Sequence, residues 1–231
     1  FMAQRAQAQN LPAEIQPYLP QYNPETPRAD FESARRRLAF AEGGFDINPN
    51  DNGNWTGGKK GVGKLVGTNW GIAAPTYKWY FGKTPTEADM RALTYEEATE
   101  IYRVLFWDKY GWGDLPYSAQ PVAQLCFDGV VQAGSNGVKI LQRALNAIGY
   151  SLVVDGGMGA MTKAALLEAA VTQPDRLYVL ILQKRWDYYL SLSNFDAYGR
   201  GWANRIDCFR DYNNEPPGDG VCNIPSYANY T

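Results

Sequence analysis

Ala41-Glu42-Gly43-Gly44-Phe45 closes the stretch whose reading decides the fold. Upstream of it, Asp30 offers a side-chain cap, and Phe31, Ala34, Leu38 and Ala41 recur at the spacing of one helix face. Glu42 therefore stands at a helix C-terminus, where the backbone dipole disfavours negative charge and raises a carboxyl pKa. The paired glycines end the helix and let another chain approach the carboxyl group closely. A carboxylic acid that keeps its proton near neutral pH is the proton donor needed to cleave a glycosidic bond.

The 231 residues contain no histidine, which removes Ser-His-Asp and Cys-His catalysis and His-ligated zinc hydrolysis. The glycine- and lysine-rich run Gly58-Lys59-Lys60-Gly61-Val62-Gly63-Lys64 places Leu65 where a phosphate loop needs a hydroxyl. No metal or organic cofactor is expected. A formal charge of -2 leaves no nucleic-acid footprint. No apolar run approaches the ~20 residues of a membrane span, so membrane insertion is not expected. Phe1-Met2-Ala3-Gln4-Arg5 has no apolar signal-peptide core. Cys208 and Cys222 flank a Pro/Gly-rich tail and are candidates for a disulfide, whereas Cys126 sits in an apolar helical run and reads as a core thiol.

Four regions are expected. Residues 1–29, rich in Gln, Pro and Ala, read as an extended arm, 30–135 as a catalytic core, 136–212 as a helical region completing the fold, and 213–231 as a Pro/Gly-rich tail. From Phe45 to Ile72 the texture turns to Gly, Asn, Asp, Lys and isolated aromatics, which predicts a small β-hairpin lobe. Beyond it the chain is mostly helical: Thr84-Pro85 opens a short helix, Thr94-x-x-Glu97 is a capping box, and Pro121–Ala133 ends at Gly134. Helices are further expected from Asn136 to Gly149, over Ala160–Ala170 and Pro174–Leu192, and last over Trp202–Tyr212. The fold class is mainly α (α+β), with one small β lobe after the first helix, as in lysozyme-like architectures.

With these elements in order, Ala41-Glu42-Gly43-Gly44-Phe45, then Asp51-x-Gly53, then Thr68-Asn69-Trp70-Gly71-Ile72 resembles glycoside hydrolase family 108, the N-acetylmuramidases with a Glu-x-Gly-Gly-Tyr element. Gly137–Ala169, with Leu141-Gln142-Arg143-Ala144-Leu145-Asn146 and Asp155-Gly156-x-x-Gly159-x-x-Thr162, resembles the peptidoglycan-binding region that follows such cores. The resemblance covers roughly residues 31–212 and puts the family's catalytic Glu on Glu42. The family's Tyr is Phe45 here, a departure that loses a hydroxyl. Asp51 and Thr68 take the Asp and Thr positions. Comparison with T-even phage lysozymes makes Thr56 a competitor for the threonine, with Thr68 favoured by the Gly71-Ile72 that follows it.

The implied chemistry has Glu42 protonating the bridging oxygen of the β-1,4 link after N-acetylmuramic acid. Asp51 then stabilises the oxocarbenium ion, or acts as base on a water held with Thr68. Phe45, Trp55, Asn69, Trp70 and Tyr77 are expected to contact sugar, as is Trp79. For each aromatic the competing role is core packing. Asp51 competes with a plain turn role, and Asp128, a charge inside an apolar helix, either lines the cleft or pairs structurally. The expected partner is the glycan strand of peptidoglycan, with attachment to a virion or tail assembly as a further expectation. The expected setting is the bacterial periplasm and wall, reached by holin release or on a virion. Two rivals stand beside the muramidase: a lytic transglycosylase, and a catalytically silent wall-binding or virion structural protein.

Overall fold

The computed structural model describes residues 27–39 and 44–209. Glu42, the tail with Cys222, and most of the N-terminal arm lie outside the described residues. The chain divides into two compact units, one of residues 35–109 and the other of residues 1–34 with 110–231. The division falls inside the first helix, α1 (Phe31–Ala39).

The described part of the 35–109 unit is built on the end of α1, on α2 (Ala74–Phe81), α3 (Glu87–Ala92) and α4 (Tyr95–Tyr102), and on a π-helical turn over Arg103–Asp108 that continues α4. Pro75 in the first turn of α2 and a left-handed Gly82 at its end mark both boundaries. Helices α3 and α4 each open with a capping box, Thr86 with Asp89 and Thr94 with Glu97. The Thr86 hydroxyl and backbone N–H, with Lys83 beside them, hold the Asp89 carboxyl down at about 2. Ile72, Ala74, Met90, Ala98 and Ile101 form the centre of the core. Arg35 is also buried there, its guanidinium 4.5 Å from the Tyr102 ring centre and 5.1 Å from that of Tyr95.

The expected β-hairpin lobe between Phe45 and Ile72 is not present. The stretch instead makes isolated antiparallel bridges, Asp46 with Thr68, Trp55 with Leu65 and Asn69 with Ile72. Glycines with φ from 70° to 89° at positions 58, 61, 63 and 67 break the alternating pleat before a ladder can extend. Side chains take up backbone groups instead. Asn54, fully buried, donates from Nδ2 to the Asp46 carboxylate and the Asn48 carbonyl, both at 3.0 Å.

The second unit is a helical assembly of α5 (Gln120–Ala133), α6 (Ser135–Ala147), α7 (Ala160–Thr172), α8 (Pro174–Leu190) and α9 (Phe195–Asp207). Residues 110–135 thus fold with the C-terminal helices. Helix α8 packs on α5, α6, α7 and α9, burying Leu177, Tyr178 and Ile181. Helix α6 crosses α5 closely, because Gly137 lies against the backbone of Gly129. The segment entering α1 is pinned by a short bridge, with the Ala29 N–H donating to Leu115 O at 2.9 Å and the Tyr117 N–H to Pro27 O at 2.8 Å. Asp30 caps α1, accepting from the Ser33 N–H at 2.7 Å. Cys126 is a free buried thiol, pushed up to about 12 by burial, and Cys208 is disulfide-bonded.

Candidate active site

Asp51 precedes a single tight turn, Asn52–Asn54, and its Oδ1 accepts the Gly53 N–H at 2.8 Å. That hydrogen bond fixes the carboxylate while leaving it at the surface. Thr68 arrives from the far side of the loop, its backbone locked to Asp46 by a reciprocal pair of hydrogen bonds, both 2.8 Å. Gly53 lies between them. A Cβ there would stand 3.3 Å from Asp51 Oδ1, 3.6 Å from Thr68 Oγ1 and 3.2 Å from Ala73 Cβ. Asp51 and Thr68 thus both lie close against Gly53, where a side chain would press on the carboxylate and the hydroxyl alike.

The two candidate threonines differ in how their hydroxyls are engaged. Thr56 Oγ1 accepts the Lys64 N–H at 2.9 Å within the glycine-rich turn. Thr68 Oγ1 is buried and has no hydrogen-bond partner among the described residues. A buried hydroxyl without a partner costs stability, which makes an additional role for it worth seeking.

Around this point the backbone is strained. Trp70 has φ 51° and Gly71 φ 74°, successive left-handed residues that reverse the chain so that Asn69 and Ile72 pair. Trp70 is the only non-glycine residue with positive φ among the described residues, and such strain persists where surrounding contacts over-determine it. Its indole Nε1 donates to Leu93 O at 3.0 Å, its carbonyl accepts from the Tyr102 hydroxyl at 3.3 Å, and its ring meets Tyr95 edge-on.

The remaining sequence candidates fall in different places. Asn69 is buried, its Nδ2 donating to the carbonyls of Met90, Arg91 and Leu93 where α3 ends, so it fastens the loop and presents nothing outward. Tyr77 is buried, 4.4 Å from the Phe81 ring. Phe45 is partly exposed, its ring held under the Arg91 guanidinium at 3.9 Å. Trp55 is partly exposed, its Nε1 donating to Pro49 O at 3.0 Å. Trp79 is half exposed, with Lys109 Nζ 4.2 Å from its ring centre.

Asp128 belongs to the other unit and takes the structural alternative. It is 3% exposed and paired with both Arg185 and Arg205. Burial would raise its carboxyl, but the two guanidinium groups outweigh burial and hold it below the usual range. Gln132 and Tyr189 complete the cluster through hydrogen bonds with Arg185 and with each other.

Sequence reasoning missed Asp46 and Asn54, which brace Thr68 and Asp51 from below, and Arg35. The signal available for Asn54 was its place one residue after Asp51-x-Gly53. For Arg35 it was a cation on the apolar face of α1, three residues before Leu38.

Residues 36–134 match the family model Glycosyl hydrolase 108, and residues 136–207 match the model described as Predicted Peptidoglycan domain. The chain is similar to the solved structure of Brucella abortus SagA, with 28% sequence identity and a TM-score of 0.62 over 79% of this chain and 92% of that one. No curated protein sequence matches it. The chain joins a glycosyl hydrolase 108 domain to a predicted peptidoglycan domain.

Proposed function

We propose that this glycoside hydrolase is an N-acetylmuramidase, cleaving the β-1,4 link between N-acetylmuramic acid and N-acetylglucosamine with Glu42 as general acid. Glu42 gives its proton to the bridging oxygen as the bond to the muramyl anomeric carbon breaks. Asp51 faces the positive charge that develops on the sugar, or takes a proton from a water that attacks the same carbon. Thr68 orients that water through its otherwise unused hydroxyl. One observation supports this assignment: Asp51 and Thr68, seventeen positions apart in sequence, both pack against Gly53. Among the aromatic candidates, Phe45, Trp55, Trp70 and Trp79 are at least partly exposed and are the ones we assign to a sugar face, whereas Tyr77, like Asn69, is buried. A phage lysis or virion-borne setting is the one we attach to this activity, on the likeness to phage lysozymes.

The deciding experiment is release of reducing ends from purified sacculi, with mass spectrometry of the fragments. The parent should release fragments that have gained water, and Glu42→Gln should lose about 10²–10⁴ in rate. Anhydro-muramyl products would establish the transglycosylase. Equal release by parent and variant would refute Glu42 as the general acid, and release by neither would leave only the silent wall-binding role.

A further inference from the structure

The second unit contains a cleft of about 540 Å³ between the last turns of α6 and α8, within the size range of small-molecule sites. Arg143, Asn146 and Ala147 line it from α6, and Lys184, Asp187 and Tyr188 from α8. The spacings 143/146/147 and 184/187/188 each put one helix face on the cleft. The candidate catalytic residues all belong to the other unit.

Its walls are already set. Asn146 is held by the Leu152 backbone at both ends of its amide, donating to the carbonyl at 2.8 Å and accepting from the N–H at 2.7 Å. The Tyr188 hydroxyl accepts from Asn136 at 3.2 Å. Lys184 and Asp187 form an exposed ion pair at 3.3 Å, of the kind that contributes little and exchanges readily for another partner. Arg143 is exposed and has no ion-pair or hydrogen-bond partner among the described residues. A bidentate donor is thus presented beside a second cation, a single acid and the methyl of Ala147.

We propose that this cleft binds the peptide stem of peptidoglycan, a short chain bearing several carboxylates and one free amine. This rests on the peptidoglycan reading above. Arg143 takes a stem carboxylate through both guanidinium arms. Lys184 takes a second carboxylate, releasing Asp187 to receive the stem ammonium. Ala147 and the aliphatic lengths of the two cationic side chains cover the alanine methyls. The glycan strand itself fits less well, because its repeating hydroxyls use neither the two cations nor the acid.

The test titrates the full chain with a soluble diaminopimelate-containing tetrapeptide stem by calorimetry. In parallel, it measures cosedimentation with intact sacculi and with sacculi whose peptides have been removed by an amidase. The parent should bind the tetrapeptide and prefer intact sacculi. Arg143→Glu should weaken tetrapeptide binding at least about tenfold, the loss expected for a charge-assisted contact turned repulsive. Ala147→Trp, which fills the cleft without changing its charge, should weaken it similarly. Both variants should melt as the parent does and cleave peptide-free glycan at its rate. A parent that sediments with intact and stripped sacculi alike, or variants that bind the tetrapeptide as tightly as the parent, would overturn the stem site while leaving the peptidoglycan reading in place. A parent that binds neither tetrapeptide nor sacculi would overturn both.

Discussion

Thr68→Val separates a catalytic hydroxyl from a structural one. The substitution keeps the β-branched shape and removes an oxygen that is buried without a hydrogen-bond partner among the described residues. Leaving such a group unsatisfied costs ~1–3 kcal/mol, so replacing it with a methyl should leave stability unchanged or raise it by up to about 1 kcal/mol. For a chain of this size that is a melting shift of ~2–4 °C upward at most. The rate should move the other way. A water that loses one of two positioning partners is misplaced by an amount that typically costs ~10²-fold, about 2.7 kcal/mol of barrier.

Thr56→Val supplies the contrast. The Thr56 hydroxyl accepts the Lys64 N–H at 2.9 Å, so its removal strands a backbone donor in the turn. That should cost about 1 kcal/mol of stability and leave the rate near that of the parent. Both variants are assayed by initial rates of reducing-end release from sacculi and by thermal melts. Thr68→Val with parental rate, or Thr56→Val with the larger loss of rate, would refute the assignment of the third position to Thr68.

Gly53→Ala should melt within a few degrees of the parent, because a turn with negative φ accepts alanine and the entropic gain of ~0.4–1 kcal/mol offsets contacts at 3.2 and 3.3 Å. It should nevertheless lose ~10² or more in rate, since the methyl presses on the Asp51 carboxylate and the Thr68 hydroxyl and shifts both, and an unimpaired rate would show that their placement around Gly53 does not matter to the reaction. Gly137→Ala would place a Cβ 2.5 Å from the Gly129 carbonyl oxygen and 2.8 Å from the Val130 nitrogen. The overpacking cost of ~1–3 kcal/mol exceeds the ~1 kcal/mol gain in helix propensity and should lower the melting temperature. Gly129→Ala, whose nearest neighbour would be the Gly137 Cα at 3.9 Å, should be neutral or stabilising, and equal melts for the two would refute the close crossing. Asp128 is held below its unfolded pKa, so its contribution is present above the ordinary carboxylate range and is lost as pH falls below ~4. Asp128→Asn should lower stability by ~3–5 kcal/mol at neutral pH by leaving the buried Arg185 and the partly buried Arg205 uncompensated, and should flatten the acid limb of stability against pH. An unchanged limb in melts between pH 7 and 3 would contradict it.

What the sequence disclosed was local. Asp30 as cap, the Thr94–Glu97 box and the Gly134 stop are signals contained within a few residues, and each is present in the structure. Helix α2 was overlooked although Pro75 and Gly82 bracket it, because Tyr77, Trp79, Tyr80 and Phe81 favour strands as readily as helices. The last helix begins at Phe195, well before the expected Trp202, since Gly199 and Gly201 lower the helical signal of its first half. The partners of Asp128 lie 57 and 77 positions away, and no local pattern announces them. The hairpin expectation failed for the converse reason. Isolated aromatics among glycines imitate alternation, but a ladder needs consecutive residues in the β region, and the left-handed glycines deny it that.

Losing the hairpin changes how precision is obtained around Asp51. Catalytic groups on strands inherit their positions from a ladder of backbone hydrogen bonds, and loops offer no such ladder. Here side-chain amides replace it. Asn54 joins Asp46 to Asn48 beneath the Asp51 turn, and Asn69 gathers three carbonyls at the end of α3. The Trp70 indole adds a further bond to Leu93. Each tie spends a polar side chain that the sequence alone would offer to substrate, which is why Asn69 looked like a sugar contact and is buried instead. Asp51 differs from these tied amides in keeping its carboxylate at the surface while one oxygen holds the Gly53 N–H. The strained Trp70–Gly71 reversal belongs to the same economy, since it lets Thr68 return to Asp46 and face Gly53 without a strand on either side.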